Sequence, residues 1–359
     1  VRSEADEAQL GFVAALVASR SRELGAGAAG RLASEGGVQG AGDRAVWTEN
    51  LTARAMDLAG SVGAGRPEIF AGQVAWSVVA LRARGLDVGP LTRGLSHLRC
   101  EVLASMAPED RALVGTYFAA AEARLAGNEE DPPAELSLST PAGEIASRYL
   151  LHVLEGNRRE ACSLVTRAVE DGRLTVRSAY RDVFTPVLRE VGRLWHVGDV
   201  TVAEEHFVTA TTLMAMSLVL PLAQTPPPIG RTMISASVAG NHHEVGARMV
   251  ADTFEIQGWR AVFLGANVPA EDLARAAADF QADVAALSVA LPGQLAALGH
   301  AVGELRRVCP KIRIVAGGAA FAQTTSPQQL ARDYGADVLG RDPEDCHRLV
   351  IEMLEARVP

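Results

Sequence analysis

From residue 231 onward the chain repeats one unit: a short β-rich run, then a turn marked by Gly or Pro, then a helical stretch. The runs "RTMISAS", "RAVFLG", "VAALSVA", "IRIVAGG" and "DVLG" are five candidate strands, with helices starting near His243, Pro269, Leu291 and Ser326 and a last one after Pro343. Strands separated by helices cannot close hairpins with their sequence neighbours. They pair in parallel through right-handed crossovers. Residues 231–357 are therefore expected to form a doubly wound parallel five-stranded sheet of Rossmann-like type. Such a sheet takes its ligand beyond the carboxyl ends of the strands, where the loops "VAGNHHEVG", "SVALPG" and "AGGAAF" belong.

Upstream the period changes. Apolar residues at three- and four-residue spacing predict an all-helical domain over 1–127, with Pro67 and Pro108 in first turns and Gly85 at a helix end. Residues 128–143 are polar and proline-bearing, and predict a linker. Residues 144–224 predict a four-helix bundle in which Pro186 kinks or divides one helix. The fold class is thus α plus α/β.

Bulk properties narrow the function. A net charge of −9, with no basic cluster, argues against a general nucleic-acid binder. Cys100, Cys162, Cys309 and Cys346 lack C-x-x-C spacing and fit a reducing compartment. No membrane-spanning run and no signal-peptide pattern is read, so a cytoplasmic location without a membrane partner is expected.

The loop "GNHHEVG" lacks both G-x-G-x-x-G and a Walker lysine, which excludes nicotinamide and nucleoside triphosphate sites of those types. A lone histidine at a helix start is usually a solvated or capping residue. Here, however, three pieces occur in order. They are N-x-H-x-x-G at Asn241, His243 and Gly246, then S-x-A-L from Ser288 to Leu291, then Gly317-Gly318. This series resembles the cobalamin-binding domain family, with its D-x-H-x-x-G, S-x-L and G-G. The resemblance implies that His243 is the lower axial ligand of cobalt, with His242 the competing imidazole. It further implies that Gly246, Gly317 and Gly318 clear a path for the nucleotide tail. Ser288 would hydrogen-bond the buried base, and Glu244 and Leu291 would line the same cofactor loops. Asn241 stands where the family has an acid; it can still accept the imidazole's hydrogen bond but cannot titrate.

A second motif lies in the bundle. In "RLWHVGDVTVAEEHF" (193–207), Trp195 is followed after nine residues by Glu205-His206. That spacing resembles the W-x9-E-H of CarH/LitR-type cobalamin photoreceptors. The resemblance implies Trp195 stacked over an upper adenosyl group, Glu205 and His206 bonded to its sugar, and Val202 leaving it room. It makes His196 the group that binds cobalt from above after light. The bland alternative is an amphipathic helix with solvated charges.

The implied protein is an adenosylcobalamin light sensor, not an enzyme by itself. It would be a homo-oligomer, dimer or tetramer, whose state changes on illumination. The alternative class is a corrinoid methyl-carrier protein, which joins the same kind of bundle to the same kind of sheet. Residues 1–127 depart from the photoreceptors' basic winged helix, so direct DNA binding is not expected. Two readings of this region stand. It is a dimerisation or transmission bundle, or it holds biliverdin as second chromophore, as in the photocobilins, which resemble the CarH type. For the latter, Trp47, Phe70, Trp76, His97, Cys100, Tyr117 and Phe118 would line a helical pocket, with Trp76, His97 and Cys100 as the bilin contacts. The downstream effector is not legible.

Overall fold

The computed structural model describes residues 4–36, 41–125 and 133–355. Five helices make the front region: α1 (Glu4–Ser34), α2 (Ala41–Ala64), α3 (Pro67–Ala83), α4 (Gly89–Ala104) and α5 (Pro108–Leu125). Their apolar stripes meet in one core containing Leu51, Leu58, Phe70, Leu98, Tyr117 and Phe118. Pro67 starts α3, where a missing N–H costs nothing, and Gly85 follows it with φ +66.

The expected boundary at 127 and residues 356–357 lie outside the described residues. The linker is shorter than expected, because α6 (Pro141–Leu154) begins before residue 144. Thr140 caps it, accepting a hydrogen bond from the Gly143 amide, and Pro141 occupies its first turn. The bundle continues with α7 (Arg158–Glu170), a short α8 (Val176–Ser178), α9 (Thr185–Val197) and α10 (Val202–Val219). Between α8 and α9 the chain widens into a π-helical turn, Ala179–Phe184. Pro186 explains this local irregularity: its ring cannot donate to the preceding turn and would collide with a regular helix there. Instead the Thr185 amide and hydroxyl both donate to the Tyr180 carbonyl. Contrary to the sequence expectation, the stretch Val202–Leu222 is long and apolar enough to cross a membrane. The acids at its start hide the run. Val208, Ala215, Met216 and Val219 of this stretch pack into the bundle core.

The sheet is formed by β1 (Thr232–Ser237), β2 (Arg260–Phe263), β3 (Val284–Ser288), β4 (Arg313–Gly317) and β5 (Val338–Gly340), all parallel, in the order β2-β1-β3-β4-β5. Helices α12 (Ala270–Asp279), α13 (Leu295–Val308) and α14 (Pro327–Asp333) cover one face; α11 (Val245–Ile256) and α15 (Pro343–Glu355) cover the other. Burial on both faces is why the strands read as near-continuous apolar runs. The units are joined by shared cores: Met249 and Ile256 of α11 belong to the bundle core. Ala64 and Ile69 of the front region pack into the sheet core.

Candidate cofactor site

The loop from β1 to α11 fixes His243 through its backbone and its neighbour. The Ser237 hydroxyl donates to the His243 carbonyl at 2.8 Å, and the His243 amide donates to Asn241 Oδ1 at 3.0 Å. That same oxygen lies 3.2 Å from His243 Nδ1. An amide oxygen can only accept, so Nδ1 carries the proton and Nε2 keeps its lone pair. Asn241 is fully buried, and its Nδ2 donates to the Ser288 carbonyl at 3.0 Å. The first motif is therefore braced by the second. His243 is exposed, as is His242 beside it. Glu244 stands at the N-cap of α11 without a side-chain capping bond.

The loop after β3 is tied back to the same edge. Gln294 accepts from the Ala290 and Leu291 amides and donates to the Gly240 carbonyl, each at 3.0 Å. Leu291 itself is exposed on this loop. After β4, Gly318 has φ +110, and a Cβ there would stand 2.2 Å from the Val289 carbonyl oxygen.

Between the bundle and the α11 face of the sheet lies a cavity of about 480 Å³. Ser288, Gly246, Gly317 and Gly318 line it, together with Tyr180, Thr185 and Leu188 from the bundle. Around a Cβ built on Gly246 there is open space to 4 Å. Arginines at the rim are mostly neutralised: Arg177 pairs with Glu344, Arg181 with Asp182, and Arg341 with Asp345. Burial would raise the Asp345 carboxyl, but hydrogen bonds from Arg341 and Arg348 outweigh it and hold the group at about 2. An outward imidazole nitrogen at the sheet edge, beside a cavity kept bare by glycines, fits a corrinoid with a detached tail.

The sequence did not point to Tyr180, Thr185, Leu188 or Met249, and the only available signal was register. Leu188 precedes Trp195 by seven residues, two turns of α9, so both lie on one helix face about 10.5 Å apart along the axis. Trp195 ends α9 and Val202 and Glu205 begin α10, placing all three at one end of the same hairpin. Val202 and His206 are exposed; Glu205 is half-buried and accepts from the Thr209 hydroxyl at 3.0 Å. His206 Nε2 lies 3.5 Å from Glu205 Oε2.

His196, next to Trp195 at the same hairpin end, is buried against the front region. It is 6% exposed, stacked on Trp76 of α3 at 4.2 Å and 8°. Four of the aromatic residues named for a bilin pocket belong to one apolar cluster of the front region. Phe70, Tyr117 and Phe118 are buried in the front core, and Trp47 packs against it. His97 lies 3.0 Å from Glu35, and Cys100 is exposed on α4. Trp76 faces another domain.

The floor of the cavity carries one buried polar link between bundle and sheet. The Tyr180 hydroxyl donates to Asp252 Oδ2 at 2.7 Å, and burial pushes both groups' pKa values up. Tyr180→Phe removes the donor and leaves a buried carboxyl short of a partner. The expected loss is about 1–3 kcal/mol of stability in urea denaturation. An unchanged midpoint would mean that water replaces the hydroxyl.

Comparisons with known proteins bear on the same two units. Residues 231–348 match the family described as B12 binding domain, and residues 145–220 match a second family of that description. The chain is 32% identical over 157 residues to the HTH-type transcriptional repressor CarA of Myxococcus xanthus, covering 43% of this chain and 52% of that protein. It is 32% identical over 145 residues to the HTH-type transcriptional repressor CarH of the same organism, covering 40% and 47%. The chain thus spans about half the length of these curated relatives. Among solved structures, the Methanosarcina barkeri monomethylamine corrinoid protein aligns with a TM-score of 0.51 at 16% identity, over 58% of this chain and 98% of that one. That likeness concerns the fold alone. With a helical cap, a Rossmann-like sheet and both B12-binding matches in register with the cavity, the chain is a cobalamin-binding protein similar to CarA and CarH.

Proposed function

We propose that the chain is a cytoplasmic light sensor and regulator that uses adenosylcobalamin as chromophore and works as a homo-oligomer, without chemistry of its own on a substrate. When bound, the cofactor would supply a cobalt–carbon bond that visible light breaks. His243 would hold the lower side through Nε2, its tautomer set by Asn241. Ser288 and the glycines at 246, 317 and 318 would receive the tail in the cavity. Trp195, Val202, Glu205 and His206 would cover the upper side from one end of the α9–α10 hairpin. His196 would take the upper side after illumination. The observation that carries this reading is the placement of Trp195, His196 and Glu205 at one hairpin end, in a chain similar to CarA and CarH. A corrinoid methyl carrier is the other class, favoured only by the fold likeness to the monomethylamine corrinoid protein.

The test is an absorption spectrum of adenosylcobalamin-loaded protein in air-saturated buffer, before and after green light. The expected result is a shift to histidine-bound cobalt(III) bands, with a different final spectrum for His196→Ala and a changed size-exclusion profile. Identical final spectra for the two proteins would overturn the sensor reading and favour the carrier. Adding biliverdin and reading for a red-absorbing band tests the front helices for a second chromophore. No such band confines the chromophore to the cobalamin unit.

A further inference from the structure

The end of α9 is gripped by α3, an element outside both B12-binding matches. Trp76 stacks flat on His196 and lies 5.6 Å from Trp195 at 30°. His196 Nε2 is 2.7 Å from the Trp76 carbonyl oxygen. A carbonyl only accepts, so Nε2 carries a proton in this arrangement and cannot bind a metal. Arg84, just past α3, donates from Nη1 to the His196 carbonyl at 2.6 Å and from Nη2 to the Trp195 carbonyl at 2.7 Å. These are last-turn carbonyls, of which that of Trp195 also accepts the Gly198 amide at 3.1 Å, and a guanidinium there meets the negative end of the helix dipole. Gly198, at φ +86, permits the approach: a Cβ there would stand 3.0 Å from Arg84 Cγ.

The front region has a second, separate anchor on the sheet. Gln73 Nε2 donates to Gln323 Oε1 at 3.1 Å, and the Thr324 hydroxyl donates to Glu68 at 3.1 Å. A Cβ on Gly60 of α2 would stand 2.6 Å from the Pro292 carbonyl oxygen. These contacts do not involve α9, so the front helices have an anchor on the sheet independent of their grip on α9. What the grip controls is the cap hairpin.

We propose that Trp76 and Arg84 are a latch: they hold His196 against α3, and departure of His196 from Trp76 frees the α9–α10 hairpin from the front region. The inference rests on the sensor reading, which gives His196 a reason to leave. Leaving breaks the hydrogen bond from Nε2–H to the Trp76 carbonyl. The proton then exchanges through water from Nε2 to Nδ1, so the ring stays neutral and Nε2 gains the lone pair that coordination needs. Trp76 and Arg84 are positioning residues, acting through His196.

Two measurements test the latch. The first uses protein without cofactor: hydrogen exchange of amides 193–201 in wild type, Trp76→Ala, His196→Ala and Trp76→Phe. Either alanine variant should exchange about tenfold faster there, the scale of one aromatic stack, and Trp76→Phe should restore most of the protection. The second uses adenosylcobalamin-loaded protein after a light pulse. Histidine-bound absorption should appear about tenfold sooner in Trp76→Ala than in wild type, with the same final spectrum. Unchanged exchange, or an unchanged rate with a normal final spectrum, overturns the latch. Absence of a histidine-bound product in wild type overturns the sensor reading instead, while the cofactor-free exchange measurement still judges whether Trp76 holds α9.

Discussion

Replacing His243 by alanine is expected to lower cobalamin affinity by about 100-fold or more, measured by equilibrium dialysis with hydroxocobalamin and by the loss of histidine-bound absorption. The effect isolates the ligand because Asn241, which the ring touches, keeps its bonds to the His243 amide and the Ser288 carbonyl without it. The side chain is exposed, and the backbone carbonyl that receives the Ser237 hydroxyl is retained in the alanine variant. Asn241 acts one step back. Its Oδ1 meets both the amide and Nδ1 of His243, and its Nδ2 spans to the Ser288 carbonyl, so Asn241→Ala loses orientation without losing the ligand. A reduction of about 10–100-fold is expected for that supporting position. His242→Ala discriminates between the two adjacent imidazoles, since His242 is exposed on the same loop and can be removed at no structural cost. Normal binding by His243→Ala together with loss in His242→Ala would reassign the ligand and shift the loop's register by one residue.

The ease with which these residues could be picked out has a physical origin. Parallel strands buried on both faces must be written in apolar residues, and the loops at their carboxyl ends inherit fixed positions along the chain. Asn241, His243, Ser288 and Gly317 therefore stand at one sheet edge as soon as the strand order is known. The cavity wall from the bundle is different. Tyr180, Thr185 and Leu188 meet Gly246 and Gly318 only because two domains dock, and no local period encodes that docking. Gly340 was equally silent: it ends β5, where a Cβ would fall 2.0 Å from Cys346 Sγ, a constraint visible only once α15 is folded back. Trp76 is the sharpest case. A tryptophan on a helix stripe reads the same whether it fills its own core, as Phe70 does, or reaches out to a histidine 120 residues away. The aromatic set of the front helices read as one pocket, but Phe70 and Phe118 meet edge to face inside the core while Trp76 points out of it.

Two glycines at the cavity are expected to separate folding from binding. Gly318→Ala should lower stability by about 3 kcal/mol or more, because the new Cβ would meet backbone atoms and the residue would keep a strained positive φ. The clash cannot be relieved by a small retreat of Val289. Its amide donates to the Gly317 carbonyl at 2.9 Å and its carbonyl accepts from the Ala320 amide at 3.2 Å, so the strand edge is pinned from both sides. In thermal denaturation this corresponds to a fall of about 6–12 °C. Gly246→Leu should behave in the opposite way. The position lies in the first turn of α11 with open space around it, and leucine is the better helix former, so the melting temperature should be unchanged or slightly raised. The same side chain would project into the cavity beside Ser288, and cobalamin binding should weaken by about tenfold or more. A Gly246→Leu protein that binds normally would exclude this cavity as the path of the nucleotide tail. A Gly318→Ala protein with an unshifted melting temperature would mean that the turn after β4 adopts another course, and with it the wall that the tail would rest on.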